Sequence, residues 1–124
     1  MAHDWPDLPE LINTVREYID DLTPRLSGMD RYHALCSLQL LDVAQRELKE
    51  WQPLESADDA RLRALSDLGP DVPRDELTAR LSAQIHAGKF DARMPELEAA
   101  MLRHVIAKVR VTKPGYLAPE HREP

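Results

Sequence analysis

The chain is short of cysteine, glycine and aromatic residues, and each shortage excludes something. One thiol, Cys36, among 124 residues rules out an internal disulfide and any zinc site built on several cysteines, and it suits a reducing, cytoplasmic setting. None of the four glycines stands in a G-x-G or G-K-[ST] pattern. The chain therefore has no loop to cradle ATP phosphates and no dinucleotide fingerprint. With aromatics at 5%, a core has to be built from Leu, Ala, Val and Ile. The opening Met1-Ala2-His3-Asp4-Trp5-Pro6-Asp7 has neither a basic nor an apolar stretch and predicts no signal peptide. No run approaches the ~20 apolar residues of a membrane span. Net positive charge is lacking too: the total is −6, which argues against general nucleic-acid binding.

What the chain does have is helical periodicity. Leu8, Leu11, Ile12, Val15, Tyr18, Ile19 and Leu22 recur at spacings of three and four, one stripe of a helix. Asp7 is placed to cap that helix and Pro9 lies in its first turn. From about Asp30 to Trp51, Ala34, Leu35, Cys36, Leu38, Leu40, Leu41, Val43 and Ala44 nearly encircle a second helix. That pattern predicts a buried central helix, with Asp42 and Arg46 as an i,i+4 ion pair. Pro53 is expected to stop it, and Ser56 to cap a third helix carrying Leu62, Leu65 and Leu68, with Asp58 and Asp59 in its first turn. Gly69-Pro70 closes that helix. A fourth carries Leu77, Leu81, Gln84 and Ile85 and ends at Gly88. A fifth buries Leu97, Met101, Leu102, Val105, Ile106 and Val109, and Lys113-Pro114-Gly115 breaks it. The fold class is all-α: one small bundle of about five helices over residues 1–124, with its core at about 8–113 and a flexible tail at 114–124.

Candidate chemistry is sparse. The histidines His3, His33, His86, His104 and His121 include no i,i+4 pair of the kind that presents zinc ligands, so no metal or cofactor is expected. Cys36, on the most apolar helix, reads as a small buried hydrophobe. The adjacent acids Asp20-Asp21 and Asp58-Asp59 read as solvated charge, because acid–base work needs one carboxyl perturbed by burial. Tyr32-His33 reads as core.

One charge pattern stands out. Residues 1–100 sum to −9 and residues 101–124 to +3. From Arg103 to Lys113 there are four cations, one His and no acid. Cations favour a helix C-terminus, which explains the pattern without a ligand. An anionic partner is the functional reading.

Two segments carry a resemblance. Arg31-Tyr32-His33-Ala34 is followed by Gln39, Leu41 and Ala44-Gln45-Arg46-Glu47-Leu48. Leu81-Ser82-Ala83-Gln84-Ile85-His86-Ala87-Gly88-Lys89-Phe90-Asp91 precedes a helix ending Ile106-Ala107-Lys108-Val109 and then Lys113-Pro114-Gly115-Tyr116. Together, over about residues 8 to 117, they resemble a family of small helical bacterial domains of uncharacterised function. That family is encoded beside or fused to aminoglycoside-phosphotransferase-like kinases, often near an acyl-CoA dehydrogenase. The chain is also similar to the small accessory subunit of the hydroxyacyl-CoA kinase of levulinate catabolism. It departs from the family pattern at Leu35, His86 and Gly115, where the family often has Arg, and at Gln39, where it has Asn. The resemblance implies a cytoplasmic, non-catalytic subunit that completes or stabilises a kinase. By residue it points to Tyr32, His33, Gln39, Arg46, Lys108, Arg110, Lys113 and Tyr116 as partner- or ligand-binding positions. Two other readings stay open: a homodimeric helical interaction module with no part in phosphoryl transfer, and an enzyme that uses His33.

Overall fold

The computed structural model describes residues 6–122; the leader reading over Met1–Trp5, His3 included, and the last two residues of the expected tail lie outside that range. The chain is all-α, as its periodicity predicts. Its order is α1 (Leu8–Leu22), a short 3-10 turn at Thr23–Arg25, α2 (Gly28–Arg46), a π-helical turn at Glu47–Trp51, α3 (Gln52–Ser66), α4 (Arg74–His86), a 3-10 turn at Asp91–Arg93, α5 (Met94–Thr112), a 3-10 turn at Pro114–Tyr116 and α6 (Pro119–Arg122). Packing divides it into two compact units, Met1–Trp51 and Gln52–Pro124.

In the first unit α1 packs on α2. Asp7 caps α1 as expected, its Oδ1 accepting from the Glu10 amide at 3.1 Å. Asp42 of α2 takes Arg16 of α1 as an ion-pair partner at 2.6 Å, a long-range contact that the i,i+4 pattern does not contain. The unit buries little. Thr23, Ala34 and Leu38 are its only buried residues among those described. The expectation of a buried central helix is therefore corrected. Met29, Tyr32, Leu35 and Leu40 are exposed, Leu40 to 69%, and Cys36 is exposed as well. Apolar residues that encircle a helix need neighbours on several sides, and within its own unit α2 has only α1.

The second unit holds the core: Leu62 and Leu65 of α3, Leu77 and Leu81 of α4, Phe90, and Leu97 and Ala100 of α5. Each buried leucine contributes roughly 2 kcal/mol of transfer free energy. Pro53 does not end a helix here. It is the second residue of α3, directly after the π-helical turn Glu47–Trp51, and such a turn is a usual accompaniment of a residue that cannot join the i→i−4 ladder. As a result Ser56 lies inside the helix rather than at its cap, and Asp58 and Asp59 stand one turn further in than the sequence suggests. The last carbonyls of α3, which have no partners within the helix, accept from side chains of later segments: Leu65 from Arg93 Nη2 at 3.5 Å and Ser66 from Gln84 Nε2 at 3.4 Å. Arg93 also stacks over the Phe90 ring at 5.2 Å.

On α5 the buried positions are Leu97, Ala100, Ala107 and Val111. Leu102 and Val105, expected inside, are half exposed. Small side chains mark the side on which helices approach closely, and a count that weights large apolar residues misplaces that face. The tail is also more ordered than its composition suggests. Leu117 is buried, and Arg122 donates to the carbonyls of Leu117 at 2.7 Å and Gly115 at 3.1 Å.

Candidate functional site

The densest polar constellation lies in the second unit and starts from one turn of α3. Asp58, Asp59, Arg61 and Arg63 stand within six residues, so helical spacing gives each acid a basic neighbour three or four positions on. Arg61 donates to Asp58 Oδ1 at 2.9 Å, and Arg63 Nε donates to Asp59 Oδ2 at 2.7 Å. Arg74, the first residue of α4, bridges the two acids, reaching Asp58 Oδ2 at 2.7 Å and Asp59 Oδ1 at 3.3 Å. From α5, His104 places Nδ1 2.6 Å from Asp58 Oδ2. A carboxylate can only accept, so Nδ1 carries the proton of that contact. Three helices thus converge on one carboxylate.

Asp58 is 1% exposed, and its burial requires this: an ion removed from water is tolerated only when its lone pairs are filled by donors. Here both oxygens are filled. Asp59 lies closer to solvent, and the hydrogen bond from Arg63 holds its pKa below the ordinary aspartate value. Burial opposes that shift, and the hydrogen bond from Arg74 adds to it. The reading of Asp58-Asp59 as solvated charge is corrected for Asp58, which is a buried tie between α3, α4 and α5. The Asp58–His104 contact orients an imidazole in the way a catalytic dyad does. However, no serine, threonine, cysteine or lysine side chain is hydrogen-bonded to His104 among the described residues. What the contact does in the fold is clamp α5 to α3 through the buried carboxylate.

Beside the clamp runs a groove of about 380 Å³ between α3 and α5, lined by Arg61, Ala64, Leu65, Glu96, Ala99, Ala100 and Arg103. A second depression of about 490 Å³ lies over Ser66, Gln84, Lys89 and Arg93. Among the described residues no group of three or more His, Cys, Asp or Glu is placed to hold a metal ion, and no helix is long and apolar enough to cross a membrane.

The residues singled out from the sequence fall into two groups, one in each unit. Tyr32, His33, Gln39 and Arg46 lie on α2. Tyr32, His33 and Gln39 are exposed, with the Tyr32 and His33 rings 6.0 Å apart, which corrects the core reading of that pair. Lys108, Arg110, Lys113 and Tyr116 cluster around the end of α5. Arg110 is tied inward, its Nη2 donating to the His121 carbonyl at 3.1 Å. Lys113 donates to Tyr116 Oη at 3.1 Å and stacks over that ring at 4.3 Å. Of the basic stretch, Arg103, Lys108 and Lys113 are exposed and Arg110 is half-buried. The sequence reading missed Asp58, Arg61, Arg74 and His104 as a set. The Asp58–Arg61 spacing was available as a signal, but the contacts to Arg74 and His104 span 16 and 46 residues.

The profile of a family described as a domain of unknown function, DUF6285, matches residues 24–116, three quarters of the chain. The chain belongs to that family. The match runs from the 3-10 turn before α2 to Tyr116, so it includes both residue groups and the Asp58 clamp and leaves α1 outside. The family has no assigned activity and does not point to catalysis. Comparison with curated proteins and with solved structures gives no match.

Proposed function

We propose that this member of an uncharacterised family is a non-catalytic accessory subunit, acting in the cytoplasm, of a kinase of the aminoglycoside-phosphotransferase type that phosphorylates hydroxyacyl-CoA. The partner's class comes from the resemblance. The observation that carries the docking role is the exposed apolar surface of the first unit. On α1, Leu8, Leu11, Val15 and Tyr18 are exposed at helical spacing; on α2, Met29, Tyr32, Leu35 and Leu40 are exposed. Single exposed apolar side chains are ordinary on a monomer. Eight on two helices, in a unit that buries one leucine, are the composition of a surface completed by another chain.

In this reading the kinase supplies ATP, Mg²⁺ and the catalytic carboxylate, and the chain stabilises it or helps hold its substrate. Tyr32 and His33 sit at the edge of the docking face. Lys108, exposed near the end of α5, is available to an anionic group of the partner or substrate. An acyl-CoA dehydrogenase encoded nearby would act on the same class of thioester.

The test is turnover by the kinase encoded beside this chain. ATP consumption is measured on short-chain hydroxyacyl-CoA substrates, with and without an equimolar amount of the chain. Activity that requires the chain supports the proposal, and identical turnover in both arms removes it. The same apolar surface also fits a homodimer, and a stable dimer that ignores the kinase would favour the interaction-module reading.

A further inference from the structure

The groove between α3 and α5 combines an apolar floor with a cation from each helix, and nothing in the family match assigns it a role. Its floor is apolar, formed by Ala64, Leu65, Ala99 and Ala100, and arginines line it from both helices, Arg61 from α3 and Arg103 from α5. The one acid in the lining, Glu96, is taken up by Arg93, whose Nη2 and Nε reach its two oxygens at 2.8 and 2.9 Å. Arg61 is held by Asp58 through Nη1 alone. Arg103 is exposed and has no hydrogen-bond or ion-pair partner among the described residues. Behind Arg61, the clamp sets three arginines against two aspartates. The groove itself thus presents two guanidiniums, Arg61 and Arg103, and one carboxylate that Arg93 occupies, in a chain whose total charge is −6. A volume of about 380 Å³ falls at the small end of ligand sites.

We infer that this groove binds a small oxyanion carried on a short aliphatic chain, the anion between the Arg61 and Arg103 guanidiniums and the chain over Ala64, Ala99 and Ala100. Guanidinium pairs are suited to carboxylate and to phosphate alike, since both present paired oxygens to the N–H fork. The Asp58 clamp contributes by fixing the Arg61 side chain before the ligand arrives, which lowers the entropic cost of binding. The inference stands apart from the subunit reading, since it concerns the chain alone.

The test is an amide chemical-shift titration of the isolated, isotope-labelled full chain with hexanoate, hexyl phosphate and hexanol. Hexanoate or hexyl phosphate is expected to saturate with a dissociation constant on the order of 1 mM, to shift amides at 61–65 and 96–103, and to weaken as salt is raised. Whichever of the two binds more tightly identifies the anion class. Arg103→Gln is expected to weaken binding about tenfold, and Ala99→Leu to abolish it by filling the floor. Both positions are exposed, so the melting temperature should stay at the wild-type value. Three results would each overturn the inference: no saturable shifts with either anion, equal binding of hexanol, or wild-type affinity in Arg103→Gln with its melting temperature unchanged.

Discussion

Removing the Asp58 carboxylate tests the physical account of the second unit most sharply. Asp58→Ala takes away the acceptor for Arg61, Arg74 and His104 at once, and with it the tie between α3, α4 and α5. Deleting one partner of a buried ion pair costs about 3–5 kcal/mol when the remaining charge stays buried. Here the Arg61 and Arg74 side chains keep 30% and 29% of their surface exposed, so water reaches both once the carboxylate is gone. The expected cost is accordingly about 2–3 kcal/mol. In a unit of this size each 1 kcal/mol moves the melting temperature by roughly 4–8 °C, which gives a fall of about 10–20 °C. Asp59→Ala is the matched control. Asp59 has the same kind of arginine partners but is 30% exposed, and its loss should cost about 0.5–1 kcal/mol. Asp58→Asn keeps the shape and one acceptor and should lie between the two. Urea unfolding followed by far-ultraviolet circular dichroism reads all three. Asp58→Ala within ~0.5 kcal/mol of wild type, or no worse than Asp59→Ala, would refute the clamp.

Other consequences concern acid, packing and the turn after α4. The Asp59 carboxyl has a depressed pKa in the folded state, so its contribution is present above the unfolded value of about 4 and is lost as pH falls through the folded value; acid titration of Arg63→Ala should show a shallower loss below pH ~4 than wild type. Leu77 is wholly buried, and Leu77→Ala should cost about 2–5 kcal/mol in urea unfolding. Gly88 ends the α4 segment at φ +82°, and a Cβ there would lie 3.0 Å from the Asp91 Oδ2. Gly88→Ala should therefore cost about 1–2 kcal/mol, whereas Gly69→Ala, with open space around it, should stay within ~0.5 kcal/mol in the same assay.

The sequence made local features legible and left tertiary ones hidden. The α1 stripe, the Asp7 cap, the α4 pair Leu77 and Leu81, and the break after Thr112 all depend on residues a few positions apart, and periodicity or capping chemistry finds them. A proline such as Pro53 predicts a helix stop, yet here it directly follows a π-helical turn and lies inside α3, because that turn absorbs the irregularity of the hydrogen-bond ladder. α2 looks like a central helix because apolar residues surround it, yet whether neighbours cover them depends on the rest of the unit, and here only α1 does. Asp58 and Asp59 are indistinguishable as a sequence pair. One is buried and the other 30% exposed: Arg74 of α4 reaches both, whereas His104 of α5 contacts Asp58 alone. The basic stretch divides in a similar way. Arg110 and Lys113 are engaged by His121 and Tyr116, and that leaves Arg103 and Lys108, of which Arg103 lines the groove between α3 and α5.

The proposed docking of the first unit on a kinase rests on its exposed apolar residues. Size-exclusion chromatography with light scattering on an equimolar mixture of the chain and the neighbouring kinase tests it most directly, using wild type and Leu35→Glu/Leu40→Glu, both changes at exposed positions. One co-eluting complex is expected with the wild-type chain and two separate peaks with the variant, which should remain helical on its own. Separate elution of wild-type chain and kinase, or a complex that survives the double substitution, would contradict it.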